Sequence, residues 1–157
     1  IMHDSRIGAF GAMALVLALL LKVALLAMLG AHNLTPMLAA LLGGHVLSRL
    51  CPLVLVASMT HIGDAAGSKS KPLADQISGP ALACAELWCV PALAWLGWSQ
   101  GPAYLLCAMA ASAAALGWMA RLFRRRLQGF TGDCLGATQQ VCEMAFYLGA
   151  AVGLGWP

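Results

Sequence analysis

Apolar residues run through this chain in long blocks, interrupted by short polar breaks. Five blocks, at about 7–30, 34–59, 80–98, 101–120 and 136–156, approach or exceed the roughly 20 residues that a helix needs to cross a bilayer. The pattern predicts an all-α fold: a polytopic transmembrane helical bundle with about five membrane-spanning helices, in one integral-membrane domain covering residues 1–157. Runs of alanine such as Ala108–Ala115 suit close packing, because small side chains let helix backbones approach.

The polar breaks differ in charge. The His32-Asn33 break and the Gly97–Gly101 break hold no lysine or arginine, whereas the break from Thr60 to Gly79 carries Lys69 and Lys71, and the next carries Arg121, Arg124, Arg125 and Arg126. This alternation follows the positive-inside rule. It predicts that the N-terminal end, the Lys69 loop and the arginine loop are cytoplasmic and that the C-terminus lies outside. Trp98 and Trp156 fall at the outer side in this scheme, where interfacial tryptophans are enriched.

Composition adds to the same picture. Of the 157 residues, 61% are hydrophobic and 10% charged, against about a quarter charged in soluble domains. The net charge of +3 serves topology, and no pattern for nucleic acid is present. The six cysteines form no CxxC pair and no Cys/His metal spacing, so neither a disulfide framework nor a zinc site is expected. The chain opens with Ile1 and without a basic-then-apolar signal pattern; the expectation is a C-terminal portion of a longer protein.

Four ionisable residues fall inside the blocks: Lys22, Arg49, Glu86 and Glu143. A charge at the bilayer centre costs about 2.5–3.5 kcal/mol on insertion scales. Lys22 is expected to snorkel to the outer headgroups. The other three suggest a polar cavity open to the cytoplasm, with Arg49 either paired to Glu86 or Glu143 or facing an anionic ligand. His45, Ser48 and Arg49 share one helical face, and so do Gly136, Gln139, Gln140 and Glu143.

Two further stretches carry candidate chemistry. Asp133 follows the turn-rich Gly129-Phe130-Thr131-Gly132 and is placed as a helix N-cap or, beyond that, as a functional carboxylate. In Asp4-Ser5-Arg6-Ile7-Gly8-Ala9-Phe10-Gly11, Ser5 or Asp4 suits a cap. Arg6 opposes the helix dipole, which a bound anion would relieve. Gly8 and Gly11 leave room for a ligand or a neighbouring helix. Acid, base and glycine together at cytoplasmic helix ends suit a phosphate-bearing, metal-assisted substrate.

The stretch Asp4–Gly11, and Gly129-Phe130-Thr131-Gly132-Asp133-Cys134-Leu135-Gly136-Ala137 followed by Gln139, Gln140 and Glu143, each lead into an apolar helix. Together they resemble cobalamin synthase, the adenosylcobinamide-GDP ribazoletransferase family. The resemblance implies a transferase of the bacterial inner membrane, active on the cytoplasmic side. Its substrates would be adenosylcobinamide-GDP and α-ribazole or α-ribazole 5′-phosphate, with GMP released and Mg2+ required. It implies Asp4 and Asp133 as metal ligands or catalytic base, Ser5, Arg6, Gly8 and Arg49 as phosphate contacts, and Gln139, Gln140 and Glu143 as substrate contacts. The family also has an acidic motif, His-x-Asp-Gly-Leu-Ala-Asp-x-x-Asp-Gly, that this chain lacks. The main metal ligands are therefore expected upstream, the fragment alone is expected to be inactive, and either an N-terminal portion or a homo-oligomer would complete it. His3 stands where lysine is more usual.

Two other readings compete. A small transporter or channel subunit would place polar residues in both membrane halves, whereas the outer halves here are almost wholly apolar. A CDP-alcohol phosphotransferase would carry a DG-x-x-AR signature, which is absent from this sequence.

Overall fold

The computed structural model describes residues 8–62 and 77–155. They form five helices: α1 (Ala9–His32), α2 (Leu34–Ser58), α3 (Gly79–Gln100), α4 (Pro102–Arg126) and α5 (Gly132–Gly153). The first four are long and apolar enough to cross a membrane. The fifth, 22 residues long, is not among them; it carries Asp133, Gln139, Gln140 and Glu143. Of these Glu143 alone is buried, where α5 packs against α4, α2 and α1, so protein rather than lipid meets that charge.

The connections explain the arrangement. Asn33 alone separates α1 from α2; its extended backbone breaks the helix, and its side chain accepts a bond from the Thr35 amide at 3.3 Å. Gly101, at φ 90, separates α3 from α4, and Pro102 opens the latter, where a missing N–H costs nothing. Ser78 caps α3 through the Ala81 amide at 3.4 Å. The short links make α1 and α2, α3 and α4, and α4 and α5 antiparallel, and backbone bonds between Thr60 and Phe130 bring the close of α2 to the start of α5. The starts of α1, α3 and α5 thus share one end of the bundle with the close of α2 and α4. That end carries Arg121–Arg126 and is called the arginine end below.

Two helix limits lie four or more residues from the edges of their apolar blocks. The fourth block stops near residue 120, but α4 continues to Arg126. Arginine is a good helix former, and cations in a last turn complement the dipole. The fifth block starts near 136, yet α5 begins at Gly132.

The α4–α5 contact is the closest in the bundle. A Cβ on Gly149 would lie 2.3 Å from the Cys107 carbonyl oxygen, and one on Gly153 would lie 2.6 Å from the Tyr104 Cα. This Gly-x-x-x-Gly pair lets the two backbones meet, in the manner of membrane helix dimers. Two apolar clusters result. One, at the end opposite the arginines, is built on Leu29, Leu96, Tyr104, Phe146 and Tyr147. Within it the Tyr104 hydroxyl donates to the Pro36 carbonyl at 2.8 Å. The other, near the arginine end, holds Leu55, Met119, Phe123, Phe130 and Cys134. Between them lies a buried layer of Ser48, Cys51, Ser112, Cys142 and Glu143.

Candidate functional site

The arginine end is closed by backbone chemistry. The amides of Leu127 and Gln128 both donate to the Phe123 carbonyl, at 2.8 and 3.0 Å, and Gln128 takes φ 61 to reverse the chain. That left-handed conformation costs a side-chain-bearing residue about 1–2 kcal/mol. Gly129 follows because nothing larger fits: a Cβ there would lie 2.5 Å from both the Thr60 carbonyl oxygen and Ile62 Cγ2. The Phe130 amide then donates to Thr60 at 3.1 Å, and the Ile62 amide to Phe130 at 3.0 Å, forming a parallel bridge between His61 and Phe130. Phe130 is fully buried, with the His61 ring edge-on at 5.4 Å. The chain leaving α2 is thereby fastened to the chain entering α5.

Beside this bridge lies a cavity of about 610 Å³ lined by Val56, Ala57, Ser58, Met59, Thr60, Ile77, Arg124 and Gln128. One wall is apolar. The others offer two hydroxyls, an amide and a guanidinium. Sequence reading missed this site, since Arg124 was read as a topology signal alone.

The predicted site residues are dispersed along the bundle. Asp4, Ser5 and Arg6 lie outside the described residues, as do Lys69, Lys71 and Trp156. Gly8 is the exposed residue that precedes α1, and a Cβ there would meet open space. Asp133 is exposed in the first turn of α5, where its charge complements the helix dipole. It is not the N-cap expected from sequence. The extended residue is Thr131, whose hydroxyl donates to Cys134 Sγ at 3.3 Å, and Gly132 is already helical. Gln139 is half-buried and Gln140 exposed.

Glu143 lies ten residues beyond Asp133, about 15 Å along the helix axis, and is 1% exposed. Its Oε1 accepts from Lys22 Nζ at 2.6 Å and from the Tyr147 hydroxyl at 2.5 Å, with His45 Nδ1 3.5 Å away. Lys22 therefore does not snorkel: a buried carboxylate on α5 satisfies it within the bundle. Arg49 forms no ion pair with Glu86 or Glu143 among the described residues. It is exposed against α3, beside Ala85, Trp88 and Cys89, and Glu86 is exposed too. The expected cavity of Arg49, Glu86 and Glu143 does not assemble. Ser48 turns inward and Arg49 outward, so the face shared by His45, Ser48 and Arg49 is split between two environments.

A magnesium site is not made by the described residues alone. No group of three histidine, cysteine, aspartate or glutamate side chains converges among them, and Asp133 is the one described carboxylate at the arginine end.

Comparison with known proteins bears on both motifs. The family model for cobalamin-5-phosphate synthase matches residues 1–151. The chain belongs to the cobalamin-5-phosphate synthase family. It is 59% identical to the adenosylcobinamide-GDP ribazoletransferase of Albidiferax ferrireducens over 98% of its own length and 60% of the relative's. For the proteins of the same name in Leptothrix cholodnii and Shewanella woodyi, identity is 41% and 42%, covering 98% and 94% of the chain and 59% and 56% of the relatives. The chain thus spans about three fifths of the length of these family members. No solved structure matches it.

Proposed function

We propose that this chain forms the larger part of a membrane transferase that joins adenosylcobinamide-GDP to α-ribazole or its 5′-phosphate and releases GMP, completing the assembly of cobalamin. The observation that carries this reading is geometric. Two family motifs more than 100 residues apart in sequence lead into α1 and α5, whose first turns share the arginine end. The arginines there support a cytoplasmic location for that end, in a bacterial inner membrane.

In this reading the ribazole nucleophile attacks the phosphorus bonded to the cobinamide side of the pyrophosphate, and GMP leaves. Negative charge grows on the non-bridging and leaving oxygens. Arg6 and the free first-turn amides of α1 hold that charge. Asp133, exposed at the start of α5, takes up or directs the nucleophile's proton. Ser5 and Gly8 let the phosphate approach the backbone. Magnesium would supply charge neutralisation when bound, and its carboxylates would come from outside the described residues, Asp4 included. Glu143, buried well inside α5 and paired with Lys22, serves the bundle rather than the chemistry, and Arg49, exposed against α3, takes no part in it.

The test uses the full-length protein in detergent or nanodiscs, with GMP release as the readout. Arg6→Ala should lower turnover at least about tenfold, since one charge-assisted bond contributes roughly 1.5–3 kcal/mol. Asp133→Asn, which leaves the helix start intact, should lower it by a similar factor or more. The 157-residue chain alone should release no GMP. Near-normal turnover in both variants would remove these residues from the mechanism.

A further inference from the structure

In the chemistry assigned to Asp4, Arg6 and Asp133 the departing GMP has no seat of its own, and the cavity beside the His61–Phe130 bridge lies at the same end of the bundle. Its volume of about 610 Å³ exceeds what a bare anion needs and lies within the range of organic-ligand sites. Its lining is two-sided. Val56, Ala57, Met59 and Ile77 offer an apolar wall, while exposed Arg124 and Gln128 offer a cation and an amide, Thr60 a hydroxyl, and Ser58 a hydroxyl oxygen whose proton goes to the Leu55 carbonyl at 3.3 Å. The side chain of Gln128 reaches this wall from a backbone at φ 61, a conformation in which glycine would be cheaper. Two backbone hydrogen bonds between Thr60, Ile62 and Phe130 hold the Thr60 side of the cavity.

We propose that this cavity is a binding subsite for a nucleoside phosphate. The guanidinium of Arg124 receives the phosphate, Gln128 and the hydroxyls bond the polar edge of the nucleoside, and the Val56–Met59 wall takes its flat face. An arginine suits this task because its planar fork matches phosphate oxygens. Arg121, Arg125 and Arg126 share the positive end but do not line the cavity. The choice of a nucleoside phosphate rests on the transferase reading, which requires GMP as a product; the anion site itself does not.

The experiment is titration of GMP into the full-length protein in phosphatidylcholine nanodiscs, followed calorimetrically. Arg124→Ala should weaken GMP binding about tenfold or more, Arg124→Lys should recover only part of it, and Arg125→Ala should leave it within about twofold. Equal losses for Arg124→Ala and Arg125→Ala would overturn the proposal, because a diffuse positive field would then account for binding. Unchanged binding in Arg124→Ala would overturn it as well. So would competition from phosphatidylglycerol nanodiscs that disappears in Arg124→Ala, which would assign the cavity to a lipid headgroup. Turnover of adenosylcobinamide-GDP by the same preparations separates the two readings. Turnover with an Arg124→Ala KM equal to wild type keeps the transferase and removes the subsite. GMP binding that depends on Arg124 in a protein without turnover keeps the subsite and removes the transferase.

Discussion

Glu143 shows how one residue constrains three helices. Its carboxylate meets Lys22 of α1, lies near His45 of α2, and accepts from Tyr147 one turn further along α5. Among the described residues no buried side-chain nitrogen or oxygen lacks a partner. A buried pair of this kind adds little net stability, but breaking it leaves an uncompensated charge, at about 3–5 kcal/mol. Lys22→Met or Glu143→Gln alone should therefore destabilise the bundle by a few kcal/mol. The double variant should be less destabilised than the sum of the two, as read from detergent unfolding midpoints. Strict additivity would mean the two groups do not interact. The sequence placed Lys22 and Glu143 inside membrane blocks, and the i, i+4 spacing of Glu143 and Tyr147 was visible. Their pairing was not, because which faces of α1 and α5 meet is decided by packing between distant segments.

At the scale of elements, glycine position decides which helices touch. Gly149 and Gly153 face the α4 backbone directly, whereas a Cβ on Gly136, in the same helix, would meet nothing within 4 Å. Gly149→Ala should then cost about 1–3 kcal/mol through overpacking against Cys107 and Ala108. Gly136→Ala should stabilise α5 by up to about 1 kcal/mol from helix propensity alone. Opposite signs in thermal unfolding would bear this out, and equal destabilisation would refute the packing account. Helix number and kind were legible in the apolar blocks. The ends of α4 and α5 were less so, because a hydropathy reading stops at charged residues that the helix itself accepts.

For the whole molecule, the two ends have different work. The half opposite the arginines is an apolar core tied by the Tyr104–Pro36 bond, while the arginine end holds the starts of α1 and α5 and the cavity. A cysteine at position 128 should be labelled by impermeant reagent only from the cytoplasm, and one at position 99 only from outside, in a background lacking native cysteines. The exchanged pattern would reverse this topology, and labelling of both from one side would overturn it. Both motifs were legible in the sequence through their resemblance to a known family, since acid, base and glycine at a helix entrance do not by themselves name a reaction. The cavity was not, since it is assembled from residues near the ends of α2 and α4 and from Ile77, which are far apart in the chain. The bridge beside it has a consequence for how this end tolerates change. The tie between the two loops is made from amides and carbonyls, so it does not depend on side-chain identity at His61 or Ile62. Drift in those side chains leaves the tie standing. Loss of an amide proton, as in Ile62→Pro, or added bulk at Gly129 breaks it. The mouth of the cavity is therefore robust to most point changes and vulnerable at a few backbone positions.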